Sequence, residues 1–167
     1  DEATQLDFFS QALEIGARQN LALSFETHRS RSLFNPWITA KVAAHLPELR
    51  LTADYSHWTV VCERVLETEW DILTALAPQV RHIHARVGYD QGPQVPHPAA
   101  PEYAKELAFQ QKCWAAVWAA QKAQGYKVST MTPEFGPDGY LHTLPFTSMP
   151  IGDLWEINRW IGHLEQE

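Results

Sequence analysis

The sequence predicts an α/β fold in which helices pack outside a parallel sheet. Segments with the hydrophobic period of a helix alternate with short runs that have the alternating pattern of a strand. Glu26, Asp54, His84 and Glu134 lie at or near the ends of these runs, each about 30 residues or more from the next, which is enough for one strand–helix unit. The 167 residues are expected to form a single domain.

The first part of the chain predicts two helices around one strand. Residues 7–18 repeat apolar side chains at i and i+4, which is typical of an amphipathic helix. Residues 21–26 form an apolar run that ends on an acid, and they predict the first strand. The second helix is expected over 36–45, because Asn35 is a good N-cap and Pro36 is favoured at the first helical position.

The middle of the chain predicts two further strands. Residues 49–54 alternate apolar and polar side chains and predict the second strand. Residues 63–76 predict a loop and helix region, which the following Ala-Pro pair ends. Residues 80–88 predict the third strand. One face of that strand carries basic side chains at alternate positions, namely His82, His84 and Arg86.

The last part of the chain repeats the strand–helix alternation with longer connections. Residues 88–101 are rich in glycine and proline and predict an ordered loop or lid, since a strong helix follows directly at 103–125. Residues 126–134 predict the fourth strand, which again ends on an acid. A proline-containing loop is expected over 135–150, and an amphipathic helix over 151–164.

The composition excludes several classes of partner. A formal net charge of −7 and the lack of a basic run argue against nucleic acid, because phosphate binding uses clustered lysine and arginine. No apolar stretch approaches the ~20 residues that a membrane-spanning helix needs. Cys62 and Cys113 are too few for a disulfide framework and are expected to be buried small hydrophobic residues. A cytoplasmic protein is therefore predicted.

The four strand ends predict a metal site. Glu26, Asp54, His84 and Glu134 end successive parallel strands, and the carboxyl ends of such strands meet at one edge of the sheet. Three carboxylates and one imidazole suit a divalent ion such as Mn²⁺, Mg²⁺, Co²⁺ or Zn²⁺. Without a cation the clustered carboxylates would repel one another. Each residue alone is more often a solvated carboxylate or a structural histidine, but the set favours one bound ion.

Other polar and aromatic residues near these ends are open to two interpretations. His28, Arg29 and Arg31 follow the first strand and either face solvent or hold a hydroxyl or phosphate group. Tyr140 and Phe146, in the loop after the fourth strand, are candidates for the mouth of a pocket.

Four short motifs surround the strand ends. They are Phe25-Glu26-Thr27-His28-Arg29, Asp54-Tyr55-Ser56-His57-Trp58, His82-Ile83-His84-Ala85-Arg86 and Pro133-Glu134-Phe135-Gly136. Together they resemble the xylose isomerase-like TIM-barrel superfamily of sugar isomerases and epimerases, and the resemblance extends over about residues 21–160. Its more specific parts are the Asp-x-x-His and His-x-His elements. The resemblance implies that the chain forms about the last four βα units of a (β/α)₈ barrel.

The resemblance also implies roles for individual residues. The four strand-end residues would bind the ion, and Glu26 and Glu134 would serve as acid and base on opposite faces of a small sugar or polyol. His57 and Arg86 are expected to bind the substrate, while Trp58 either lines the pocket or packs in the core. The implied reaction is proton transfer next to a carbonyl group, with the ion stabilising an enediolate.

The implied half-barrel needs a second half. We expect this half as an N-terminal part of a longer protein, or as a partner or second copy that closes the barrel. Two other functions stay open at this stage. One is a metal-dependent hydrolase or lyase on the same barrel, and the other is a non-catalytic protein that binds metal or sugar.

Overall fold

The computed structural model describes residues 1–137 and 139–166. The α-helices of this part are α1 (Glu2–Arg18), α2 (Pro36–His45), α3 (Tyr55–Val61), α4 (Trp70–Leu76), α5 (Ala104–Ala123) and α6 (Leu154–Leu164). The strands are β1 (Phe25–Glu26), β2 (Leu51–Ala53), β3 (Val80–Ala85) and β4 (Thr130–Pro133). Short 3₁₀ turns lie at Glu67–Glu69, Ala77–Gln79 and Pro101–Tyr103.

The strands form one parallel sheet in the order β1-β2-β3-β4, which is also their order along the chain. This arrangement confirms the predicted α/β class and the parallel sheet. Among the described residues β1 and β4 are edge strands with one strand neighbour each. An open sheet of this kind does not establish the predicted (β/α)₈ barrel, because closure needs further strands.

The predicted helices are present with small shifts in their bounds. The helix over 36–45 is confirmed, and the side chain of Asn35 accepts a hydrogen bond from the Ile38 amide at 2.8 Å, as an N-cap does. The expected loop and helix region at 63–76 contains α4. Helix α3 was not predicted. Its N-cap is Asp54, whose side chain accepts from the Ser56 amide, so the residue that ends the strand also begins a helix.

Strand β3 begins where predicted and ends at Ala85 instead of residue 88, whereas β1 and β4 are shorter because the residues before them complete the preceding helices. The Leu21 amide donates to the carbonyl of Gly16 in α1, and Asn20 turns the chain with a φ of 55°. The Tyr126 amide likewise donates to the carbonyl of Gln121 in α5, next to Gly125 with a φ of 85°. These hydrogen bonds cap the helix ends. The strand pairing therefore starts only at Phe25 in β1 and Thr130 in β4.

The two faces of the sheet differ in polarity. One face packs in the hydrophobic core, and its central residues Leu51, Ala53, Ile83 and Ala85 are fully buried. The opposite face is polar, and the ring of His82 bridges β3 to β4 through hydrogen bonds with the hydroxyl groups of Thr130 and Thr132 at 2.8 and 2.9 Å. His82 therefore has a structural role, as expected, since both its nitrogens are engaged in the sheet.

Two further sequence-based expectations concern burial and hydropathy. Cys62 and Cys113 are free and buried, as predicted for small hydrophobic residues. None of the described helices combines the length and the apolar character that crossing a bilayer requires.

Gly88 provides a test of packing behind the strand ends. A Cβ atom at Gly88 would lie 2.8 Å from the Cα, Cβ and carbonyl oxygen of Ser56, all three of which belong to a buried segment. We expect Gly88→Ala to lower the free energy of unfolding by about 1–3 kcal/mol through overpacking, as measured by urea denaturation. In the control Gly162→Ala the new methyl group meets only Pro133 Cγ at 3.5 Å, within a helix. The control should be neutral or stabilising by up to about 1 kcal/mol. Equal stability of the two variants would contradict the packing described for Ser56.

Candidate metal centre

The four predicted ligands meet at one edge of the sheet. Glu26 ends β1, Asp54 directly follows β2, His84 is the last residue but one of β3, and Glu134 directly follows β4. One donor atom from each residue lies within 4.8 Å of the donor atoms of the other three. Ligands on opposite sides of a single ion are about 4–5 Å apart when their bonds are about 2.0–2.6 Å long. The cluster therefore has the dimensions of a site for one metal ion.

His84 is the centre of the cluster. Its Nδ1 donates to Oε1 of Glu26 at 3.0 Å and lies 2.8 Å from Oε2 of Glu134. The two carboxylates come from the two edge strands and converge on the same nitrogen of the imidazole. Contact with Glu134, and then with Glu26, outweighs the effect of burial and raises the pKa of His84 to about 10. In the metal-free chain a proton therefore occupies the place where an ion would bind.

Asp54 is fully buried, and only one of its two carboxylate oxygens accepts a hydrogen bond. Its Oδ1 accepts hydrogen bonds from the amide and the hydroxyl group of Ser56. Its Oδ2 has no hydrogen-bond donor among the described residues, although His57 Nε2 lies 3.4 Å away and Arg86 Nε 3.7 Å away. Burial raises the pKa of Asp54 to about 7, against the opposing effect of Arg86. A buried oxygen without a donor is an available ligand for a cation.

Glu134 is held in its ionised form. Its Oε2 lies 3.0 Å from Nη2 of Arg86, which is almost completely buried. Burial alone would raise the pKa of the Glu134 carboxyl group, but contact with His84 and Arg86 outweighs burial and lowers it. A carboxylate that keeps its charge can serve as a metal ligand or as a base.

The donor set suits a divalent cation. Three carboxylates are matched here by only one permanent cation, Arg86, and by the proton on His84. A divalent ion that replaced this proton would compensate the remaining charge, and it would satisfy the unpaired Asp54 Oδ2. Oxygen-rich ligation with one imidazole fits Mn²⁺, Mg²⁺, Co²⁺ or Zn²⁺, as the sequence predicted.

The raised pKa of His84 predicts that metal binding releases a proton. At pH 8 the imidazole is protonated, because its pKa is about 10, and Nδ1 must lose the proton before it can ligate. We expect Mn²⁺ affinity to rise about tenfold per pH unit between pH 7.5 and 8.5, where Asp54 is already ionised. Titration calorimetry in two buffers of different ionisation enthalpy measures the released proton directly. Binding at pH 8 without proton release would show that His84 is not a ligand.

His57 and Arg86, which the sequence predicts to bind substrate, both lie at the centre. His57 is completely buried, and its ring packs 3.9 Å from the ring of His28. Neither ring nitrogen of His57 has a hydrogen-bond partner among residues 1–137 and 139–166. Burial, followed by the charges of His28 and Arg86, lowers the pKa of His57 to about 3, so the imidazole is neutral. Arg86 lies between Asp54 and Glu134.

Trp58 is placed in the hydrophobic core, and its expected role in a pocket wall is therefore corrected. Its side chain is 1% exposed, and its indole N–H donates to the carbonyl of Leu33 at 2.9 Å. The ring packs edge-on against Tyr55 at a centroid distance of 5.7 Å. Helix α3 directs His57 to the metal centre, and the next residue consequently points into the core. Of the two roles that the sequence allowed, core packing is the one that the structure supports.

Tyr140 and Phe146, the two candidates for the mouth of a pocket, lie in different environments. The ring of Tyr140 lies over Arg86 at 4.3 Å from the guanidinium carbon, which places it at the centre. Phe146 is fully exposed, with a φ of 62°, and makes no comparable contact there.

Thr27 and Ser56 form hydrogen bonds with Asp54, and neither residue was identified from the sequence. The hydroxyl group of Thr27 donates to the Asp54 carbonyl at 3.0 Å and accepts from the Asp54 amide at 2.8 Å, which joins the ends of β1 and β2. Nothing in the local sequence indicates this contact, because the partner lies 27 residues away. Ser56 had a local signal, since an aspartate two residues before a serine can cap a helix.

A cleft lies at the β1 edge of the sheet, beside Glu26 of the metal centre. It has a volume of about 620 Å³, and Glu26 forms part of its wall. Phe8 and Phe9 of α1 form its apolar side, while Ser30 and Arg31 from the loop after β1 form its polar side. Apolar clefts with a few converging polar groups are typical of small-molecule sites.

Comparisons with known proteins do not identify a relative of this chain. No family model, no curated protein and no solved structure matches the chain significantly. The similarity to the xylose isomerase-like superfamily thus remains a prediction from the four motifs, and the description of the site depends on its geometry alone.

Proposed function

We propose that this chain is part of a divalent-metal-dependent isomerase or epimerase that acts on a small sugar or polyol. The observation that carries the proposal is the convergence of Glu26, Asp54, His84 and Glu134 within 4.8 Å. In the proposed site these four side chains hold one ion. When bound, the ion supplies Lewis-acid stabilisation of the negative charge that develops on adjacent substrate oxygens.

Two carboxylates from the two edge strands of the sheet support a proton-transfer reaction. Glu134 is ionised and takes a proton from the carbon next to a substrate carbonyl, which gives an enediolate. Glu26, from the other edge strand, would take up a proton from solvent and pass it to the neighbouring carbon for isomerisation, or to the other face of the same carbon for epimerisation, while Glu134 releases its proton to solvent. The neutral imidazole of His57 binds a substrate hydroxyl group, and Arg86 keeps Glu134 ionised.

The test of this chemistry is hydrogen exchange from solvent. The chain is incubated with Mn²⁺ and a panel of aldoses and ketoses in D₂O, and deuterium next to the carbonyl is followed by NMR. We expect incorporation that chelation of the metal abolishes. Hydrolysis or dehydration of a substrate without such exchange would contradict the proposal and favour a hydrolase or lyase on the same scaffold.

We further propose that the sheet is part of a (β/α)₈ barrel. Sequential parallel order is typical of a barrel, whereas doubly wound sheets reverse their strand order. The remaining units would come from an N-terminal segment or from a second copy. The exposed edges of β1 and β4 favour association.

Association can be measured on the 167-residue chain itself. We expect size-exclusion chromatography with light scattering to show self-association, and thermal unfolding to be broad. A monomer that unfolds in one sharp transition would contradict the barrel and indicate a self-sufficient four-stranded domain.

A further inference from the structure

The loop after β1 is a concentration of positive charge on an acidic protein. Arg29 and Arg31 lie two residues apart in this loop, while the chain as a whole has a net charge of −7. Arg29 and Arg31 are exposed, and neither forms an ion pair with any residue of the described part of the chain. Arg31 lines the same cleft as Glu26. Two arginines without a carboxylate partner are therefore available at the entrance.

This loop is connected to the metal centre by ring contacts. The guanidinium carbon of Arg29 lies 5.5 Å from the centroid of the Tyr140 ring, and that of Arg86 lies 4.3 Å from the same centroid. His28 packs against His57, whose Nε2 is 3.4 Å from Asp54. The loop after β1 therefore lies directly beside the cluster of candidate metal ligands.

Arg86 supplies a second, independent observation. It is 3% exposed, and only its Nη2 contacts Glu134 closely, whereas Nε and Nη1 have no hydrogen-bond partner among residues 1–137 and 139–166. Buried guanidinium donors are normally paired, because an unpaired one loses its water without replacement. Nε still lies 3.7 Å from Oδ2 of Asp54, with which it forms an ion pair, so Nη1 is the donor that an acceptor from outside the chain would satisfy.

The charges of the centre favour an anion as this acceptor. A divalent ion together with Arg86 balances Glu26, Asp54 and Glu134, so the charges of Arg29 and Arg31 stay uncompensated at the mouth. Guanidinium groups bind phosphate and carboxylate with paired hydrogen bonds. The cleft beside Arg31, at about 620 Å³, has room for a small substrate.

We infer that the substrate carries an anionic group, a phosphate or a carboxylate, which Arg29 and Arg31 bind at the mouth of the metal centre. Nη1 of Arg86, next to the Tyr140 ring that Arg29 also contacts, completes the site. The inference rests on the proposed function, since it names the substrate class of the same centre. It predicts a phosphorylated sugar or a sugar acid instead of a neutral sugar.

Three probes with one carbon skeleton test the inference. D-ribose 5-phosphate, D-ribonate and D-ribose are titrated into the Mg²⁺-loaded chain at low ionic strength by calorimetry. We expect at least one anionic probe to bind about tenfold or more tightly than ribose, because exposed charge pairs act strongly at low salt. The stronger of the two anions identifies phosphate or carboxylate as the recognised group.

Variants locate the binding site. Arg29→Gln and Arg31→Gln should each reduce the affinity for the preferred anion about tenfold, and Arg29→Lys should restore part of it. The matched control is Arg18→Gln at the end of α1, an exposed arginine at the opposite edge of the sheet. It removes the same charge and should leave anion affinity unchanged.

The outcomes separate this inference from the proposed function. Equal affinity for the three probes, no measurable binding of either anion, or loss of affinity no greater than in Arg18→Gln would overturn the inference. If Mg²⁺ still binds in those cases, the proposed metal centre stands. Anion preference in a chain that fails to bind Mg²⁺ would support the inference and contradict the proposed function.

Discussion

A Glu134→Gln variant is expected to lose turnover by about three orders of magnitude or more. Glutamine keeps the shape of the side chain but can neither take a proton nor neutralise a cation. The geometry shows why both losses occur together, since Oε2 of Glu134 lies 2.8 Å from Nδ1 of His84 and 3.0 Å from Nη2 of Arg86. Deuterium exchange in D₂O measures the chemical step, and Mn²⁺ titration measures the ion.

His57→Ala is the comparison that divides the roles within the centre. His57 contacts Asp54 but belongs to helix α3 and not to the ligand cluster. We expect this variant to retain Mn²⁺ with less than about a tenfold loss in affinity, and to show its main defect as a raised KM. Circular dichroism controls for folding, because the deleted ring is fully buried. A His57→Ala chain that no longer binds metal would refute this division of roles.

Trp58→Ala is expected to lower the free energy of unfolding by about 3–5 kcal/mol. The substitution removes a buried indole that fills the core beside Tyr55, and it leaves the carbonyl of Leu33 without its donor. Urea denaturation measures the difference in free energy. The expected loss is a large part of the stability of a typical domain, so the variant should be compared at low temperature.

The matched control for this substitution is Trp155→Ala at the start of α6. Trp155 is 78% exposed, and its removal should change the free energy of unfolding by less than about 0.5 kcal/mol. If Trp58→Ala unfolded like the control and instead bound substrate more weakly, Trp58 would be a pocket residue and its placement in the core would be wrong.

The class of fold and the ligand set were predictable because both leave local signals. Glu26, Asp54, His84 and Glu134 each lie at or near the end of a strand-like segment, so they could be identified without knowledge of their contacts. Parallel topology then brings these ends to one edge. The cap formed by Asn35 and Pro36 fixed the start of α2 in the same way, since it depends on neighbouring residues alone.

The remaining features depend on contacts between distant segments. The residues after α1 and α5 have strand-like sequences, yet their amides cap the preceding helices, so β1 and β4 are shorter than their patterns predict. Helix α3 was not predicted because Asp54 has two roles, as the residue after a strand and as the N-cap of this helix. The contacts of Thr27 with Asp54 and of Tyr140 with Arg86 join segments that are distant in the sequence. A periodic pattern of hydrophobic residues does not indicate such contacts.

The most direct test of the metal centre is anomalous X-ray diffraction from crystals of the chain grown with Mn²⁺. We expect one strong manganese peak, with bonds of about 2.0–2.6 Å to one atom from each of Glu26, Asp54, His84 and Glu134. The same peak should be absent in His84→Ala crystals. A peak bound to other residues, or no peak at this edge of the sheet in the presence of saturating Mn²⁺, would contradict the metal centre and the function proposed from it.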